Sequence, residues 1–208
     1  MTRRQNPPLP ETHFGLLLVE GGDERAVSQV LAANAWSQLC CWKAEGRSDL
    51  PGLAALAKLD PNFGAARSVG IVLDIESSLS STQALVTETL KVLGASGSFV
   101  HGVLHGVPRL GAFLVPDGVG PGAIETLCRE AAKDRILAAC VDQLISCAGS
   151  PHRAHGNPRA AEDKGWLKAY LGMTSEPGLR FHQAFVHPQG IDASHPAFGP
   201  LRAFLLAL

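Results

Sequence analysis

Four short apolar runs, each followed by a break and then by a stretch with helical spacing, set out the plan of the chain. The first, Leu16 to Val19, is fully apolar and stops at Glu20, with Gly21, Gly22, Asp23 and Glu24 directly behind it. A short apolar run bounded by glycines reads as a buried strand. Ser37 to Trp42 reads as a second strand, Ser68 to Asp74 as a third and Leu110 to Val115 as a fourth. The third does not alternate apolar with polar, as expected of a strand covered on both faces. Between them, the spacing of Ala26, Val27, Val30 and Leu31 predicts a helix over residues 25–34. Leu53, Leu56, Ala57 and Leu59 predict one over 51–59, with Pro51 suited to its first position. Leu85, Val86, Leu90 and Leu93 predict one over 82–93, and Pro121 leads into another. Strand, glycine turn and helix in repeated order form βαβ units, so the expected fold class is α/β with a mostly parallel sheet.

From about Asp134 the pattern turns wholly helical. Helices are predicted over 136–147, where Leu137, Cys140, Val141, Leu144 and Ile145 form the apolar side, over 160–171 and over 198–208. The expected organisation is a flexible leader over 1–12, an α/β core over 13–133 and a helical C-terminal extension over 134–208 packed on that core.

Composition narrows the class. The chain has 208 residues, 46% of them hydrophobic and 18% charged, which suits one globular domain with a sizeable core and excludes a disordered chain. A net charge of -1 announces no global basic field, so any contact with nucleic acid would need a local groove. No apolar run approaches the roughly 18 residues that span a bilayer. The first ten residues are polar and Pro-rich, without the apolar segment of a signal peptide. Cys40, Cys41, Cys128, Cys140 and Cys147 form an odd set without CxxC spacing. They are expected to be reduced core residues of a cytoplasmic protein. There is no Gly-x-x-x-x-Gly-Lys and no Gly-x-Ser-x-Gly, so the chain has neither a phosphate-binding P-loop nor the nucleophile elbow of an α/β-hydrolase. His101 and His105 are four apart on strand or loop, where one-face zinc geometry is not implied. His152, Arg153 and His155 make a basic loop, more often a solvated feature than a phosphate contact.

What remains is carboxylates at strand ends. In open α/β sheets ligands bind beyond the carboxyl ends of the strands. Glu20 ends the first strand, and Asp74 ends the third with Glu76 two residues on. In extended chain, residues two apart point to the same side, so Asp74 and Glu76 are expected to face one point beside Glu20. Asp117 stands at the end of the fourth strand, and Glu125 opens the helix that follows. Such acids repel one another unless a cation lies between them, and hard oxygen ligands suit Mg²⁺ or Mn²⁺. The plainer reading is that each acid caps a helix.

Val19-Glu20-Gly21 followed by Asp74-Ile75-Glu76 resembles the signature of the Toprim domain of topoisomerases, primases and related nucleases. The whole layout is similar to a small, uncharacterised Toprim-related family akin to the overcoming-lysogenisation-defect (OLD) nucleases. Pro116-Asp117 with Gly122-Ala-Ile-Glu125, and the pair Lys164 and Lys168, carry the rest of the likeness, which runs over roughly residues 14–172. Glu24 stands where that pattern prefers Asp, and Glu76 replaces the second Asp of the pair. The resemblance implies a Toprim-like fold and a divalent-metal-dependent nuclease or related phosphotransfer activity on nucleic acid. It implies Glu20, Glu24, Asp74, Glu76, Asp117 and Glu125 as metal ligands for Mg²⁺ or Mn²⁺. Glu20 would act as general acid or base, and Lys164 or Lys168 would offset charge on the phosphate. The alternative is a non-catalytic binding or assembly module with a degenerate acidic site. Nucleic acid, a protein partner and a second copy of the chain stay open as partners; a membrane does not.

Overall fold

The four apolar runs lie side by side. In the computed structural model, which describes residues 6–148 and 158–208, β1 (Phe14–Val19), β2 (Leu39–Lys43), β3 (Ala66–Asp74) and β4 (Arg109–Val115) form one sheet, all parallel, in the order β2-β1-β3-β4. Every residue of β1 is buried, which a parallel sheet covered on both faces requires. Side chains alternate between two cores, as the two-residue period of a strand dictates. Leu17, Val19, Val72, Phe113 and Val115 face one core. Leu16, Leu18, Val69, Ile71, Leu73 and Leu114 face the other. The basic loop of His152, Arg153 and His155 lies outside the described residues.

The helices divide between the faces. α2 (Leu50–Leu59) and α3 (Leu79–Leu93) cover the second core through Leu50, Leu53, Ala57, Val86 and Leu90. α1 (Gly22–Leu31), α4 (Ile124–Glu130), α5 (Arg135–Ala148), α6 (Pro158–Gly172) and α7 (Gly199–Leu206) cover the first. The chain leaves β1 through α1 to reach β2, then passes back through α2 to β3 on β1's other side. The connections that follow β1 and β3 therefore diverge to opposite faces, which opens a crevice at the carboxyl ends of these two strands.

The last helices complete the sheet's second layer. Phe204, Leu205 and Leu208 share a core with Leu17, Val72 and Phe113. The Ser68 hydroxyl donates to the Leu208 carbonyl. Gly70 is the floor of this contact: a Cβ there would lie 2.7 Å from Leu208 Cδ2 and 3.1 Å from Phe204 Cε1. Gly70→Ala is therefore expected to destabilise the fold by about 1–3 kcal/mol through overpacking. A lowered urea midpoint with unchanged slope would show it; an unchanged midpoint would mean that α7 can slide off the sheet.

Several local expectations are corrected. α1 begins at Gly22, because Gly21 is its extended N-cap and Asp23 and Glu24 lie in its first turn, where acids complement the helix dipole. The segment read as a flexible leader is packed from Asn6 on. The Asn6 side chain bonds both backbone groups of Lys43, Trp42 Nε1 donates to the Pro7 carbonyl at 2.8 Å, and Leu9 is buried. Cys140 and Leu144 face outward from α5, as do Ile136 and Cys147, so only Cys40, Cys41 and Cys128 are core residues. All five thiols are free.

Candidate functional site

Register decides which acids meet. Val19 of β1 pairs with Val72 of β3, so Glu20 and Asp74 both emerge at the crevice. Asp74 lies on the α1 and α4 side with Val72, by strand alternation, and is 2% exposed. Its Oδ1 accepts from the backbone N–H of Ile124 at 3.0 Å, at the start of α4. The capping reading of Asp74 is thus realised across the fold, while α3, which follows Asp74 in the chain, is capped by Ser78 instead.

Two more acids reach the same edge from helix starts. In α1 the buried positions are Glu24, Val27, Ser28 and Leu31, the spacing of one helical stripe. Glu24 is the polar head of that stripe, folded back over Gly21, where a Cβ would lie 2.7 Å from Glu24 Oε2. This is the third-position acid reaching toward the N-cap backbone. Glu125, in the first turn of α4, is likewise buried.

The electrostatics follow from this crowding. Burial raises the Asp74 carboxyl well above its ordinary value, and the charges of Glu24, Glu125 and Glu20 add to it. Burial pushes Glu125 up to about 7. Burial also raises Glu24 and Glu20, in Glu20 against the opposing charge of Arg47. Lys164 of α6 supplies the compensating cation. Burial pulls its ammonium down, but Glu125, Asp74, Glu76 and Glu24 outweigh that and hold it above its usual value.

Among the described residues, the buried side-chain polar atoms without a hydrogen-bond partner are Glu20 Oε2, Glu24 Oε2, Glu125 Oε2 and Ser28 Oγ. Three of these four are carboxylate oxygens at one sheet edge, so the orphans mark a place. Buried polar atoms are nearly always satisfied, and those that are not call for a proton, a water or an ion. As the side chains stand, no three His, Cys, Asp or Glu groups among the described residues are gathered closely enough to hold a metal.

Three expected site residues lie elsewhere or do something else. Asp117 is exposed, and its Oδ1 accepts from Val119 and Gly120 at 2.9 and 2.8 Å. Its carboxylate is spent on its own turn, the usual employment of Asp in a tight loop. Lys168 is exposed. It sits one turn beyond Lys164 and about 40° further round the helix, enough to leave the crevice. Glu76 does not share a direction with Asp74, because the strand has ended and Glu76 takes a left-handed φ of 54°, which breaks the two-residue alternation. Its carboxylate turns to Arg47, 2.7 Å away, and to Lys164, 3.7 Å away.

Arg47 is the functional candidate that sequence reasoning passed over. It follows β2 in the Gly46-Arg-Ser-Asp turn, and a lone cation beyond a strand's carboxyl end was the available signal. It donates to Thr82 Oγ1 at 2.7 Å and to the Asp74 carbonyl at 3.4 Å as well as to Glu76. A second network fixes the helix that carries Lys164. The neighbouring Asp163, 2% exposed, accepts from Thr126 Oγ1 at 2.6 Å and from Arg129 Nη1 at 2.8 Å, which pins α6 to α4.

A family model described as "Protein of unknown function (DUF3226)" matches residues 15–208. The chain belongs to that family. The DUF3226 match runs from β1 through α7, so it takes in both the sheet that carries Glu20 and Asp74 and the helix that carries Lys164. No curated protein and no solved structure matches the chain. The function of this DUF3226 protein is therefore read from its own site.

Proposed function

We propose that this protein is a divalent-metal-dependent nuclease or related phosphotransfer enzyme acting on nucleic acid, with a Toprim-like site and Mg²⁺ or Mn²⁺ as cofactor. The observation that carries the reading is the set of three partnerless, buried carboxylate oxygens on Glu20, Glu24 and Glu125, grouped around Asp74 at the β1–β3 crevice. A buried carboxylate oxygen left without a partner is costly, and a hard divalent cation is the partner that such oxygens from different elements suit. Glu20, Glu24, Asp74 and Glu125 are the residues that would hold it. Bound there, a divalent ion supplies an activated water and charge for the leaving oxygen.

The chain's own groups divide the remaining work. Glu20 is less buried than Asp74 and lies nearer solvent, and burial raises its pKa, which suits it to act as the general base within reach of solvent. Lys164 and Arg47 present positive charge at the mouth, where a phosphate's negative charge must be balanced. Asp163 and Arg129 hold the helix that carries Lys164.

A second reading, a non-catalytic binding or assembly module, is favoured by one observation: Lys164 already serves as the cation of the cluster. Calorimetric titration with Mg²⁺ and Mn²⁺, beside incubation with labelled single- and double-stranded DNA and RNA, separates the two. The enzyme reading expects saturable binding and cleavage that depends on the ion. Binding without cleavage of any of the four substrates favours the module, and no binding removes the metal from the protein's chemistry.

A further inference from the structure

We propose that Arg47 and Lys164 form a seat for a phosphate oxyanion and that the Glu76 carboxylate fills this seat in the free protein as an internal stand-in. The inference deepens the metal-dependent reading, on which it rests for the reason a phosphate would come to this edge at all.

The two cations arrive from different elements and take different oxygens of one anion. Arg47 Nη1, from the turn after β2, lies 2.7 Å from Glu76 Oε2, and Lys164 Nζ, from α6, lies 3.7 Å from Glu76 Oε1. Two cations bridged by two oxygens of one group is the arrangement that a phosphate's oxygens reproduce, and guanidinium is the side chain best shaped for it. Arg47 is held without Glu76, and so is the helix that carries Lys164. Arg47 is fixed by Thr82 Oγ1 and the Asp74 carbonyl. Lys164 is carried on α6, which Asp163 pins to α4. If Glu76 swings away, Arg47 stays in place and Lys164 stays at the same position on its pinned helix.

Glu76 is also built to leave. Its side chain is 34% exposed, against 28% for Arg47 and 42% for Lys164, so solvent reaches all three partners. Ion pairs this open are worth at most about 1 kcal/mol, which an incoming phosphate can match. The backbone of Glu76 is anchored separately, its N–H donating to the Gly122 carbonyl at 2.8 Å, so only the side chain has to move. The same geometry explains why Glu76 is no ligand of the acid cluster: its carboxylate is turned toward the two cations.

The test compares the parent with Glu76→Gln and Lys164→Met, titrating inorganic phosphate and a deoxydinucleotide by calorimetry, with and without saturating Mg²⁺. Glu76→Gln vacates the seat and should bind phosphate roughly fivefold more tightly, while Lys164→Met should bind it roughly fivefold more weakly. Gain with the dinucleotide identifies a phosphodiester as the occupant; gain confined to inorganic phosphate identifies a monoester. Glu76→Gln should leave Mg²⁺ affinity where it is. A loss of Mg²⁺ affinity in that variant would make Glu76 a metal ligand and overturn the proposal, as would an unchanged phosphate affinity with a normal melting curve. If the parent takes up no Mg²⁺, the metal-dependent reading falls, and the titrations without the ion still decide whether the seat exists.

Discussion

Asp74→Asn is expected to weaken Mn²⁺ binding at least about 100-fold while raising the unfolding temperature of the metal-free protein. Asn retains the oxygen that accepts from the Ile124 N–H, so the junction of β3 with α4 survives the substitution. What disappears is a charge buried at 2% exposure beside Glu24 and Glu125. In the free protein that charge is a liability, because burial and its neighbours both oppose it. For the proposed divalent ion it would be the central ligand. A substitution that stabilises the fold and removes its chemistry is the signature of a site kept at the expense of stability. Asp74→Ala separates this from plain structural damage: it also leaves the Ile124 N–H without its acceptor and should lose about 1–3 kcal/mol. Calorimetric Mn²⁺ titration and thermal scans at pH 8 check both variants. If Asp74→Asn binds Mn²⁺ like the parent, Asp74 is a helix cap and nothing more.

The metal-free protein should lose stability as pH rises from about 5 to about 8. Glu125 titrates at about 7 in the folded chain against an ordinary value of 4.5. A carboxyl raised in this way contributes stability that is fully present below the unfolded value and is lost as pH climbs through the folded one. The neutral carboxyl is at home in the crevice; the charged one is not. The span from 4.5 to about 7 corresponds to roughly 3 kcal/mol for Glu125 alone, and the raised Glu20, Glu24 and Asp74 act in the same direction. Glu125→Gln should therefore be more stable than the parent above pH 7 and indistinguishable from it near pH 4. Saturating Mn²⁺ should flatten the parent's curve, because the ion favours the charged carboxylates that burial penalises. Urea midpoints at intervals from pH 4 to 8.5 measure this. A parent curve that rises across pH 5–8 would mean that the carboxylates are already compensated in the folded state.

The two predictions share a cause, the crowding of buried acids at one sheet edge, where Lys164 opposes the charge of Glu24, Asp74 and Glu125 and Arg47 that of Glu20. The crowding also orders the roles at the mouth. Arg47 and Lys164 face outward through Glu76, while Glu24, Asp74 and Glu125 lie behind it, shut away from solvent. An anion from solvent meets the cations first.

The strands were legible because an uninterrupted apolar run such as Leu16 to Val19 has few alternatives to a strand buried on both faces, and the helices because their apolar spacing is periodic. From those two signals came the α/β class, the parallel sheet and the position of Glu20 and Asp74 at strand ends. Their adjacency came only with the strand order, since nothing local to either run says that β3 lies beside β1. The fates of Asp117, Glu76 and Lys168 were likewise hidden, for reasons of a few ångströms and degrees. A turn's own N–H groups took up Asp117, a left-handed φ redirected Glu76, and one further helical turn carried Lys168 outward. Arg47 was invisible as a partner because its importance lies in contacts with Asp74, Glu76 and Thr82, 27 to 35 residues away. Sequence periodicity records which side of an element a residue occupies; which charges then meet across elements depends on register and backbone rotation, and those are settled when the layers pack.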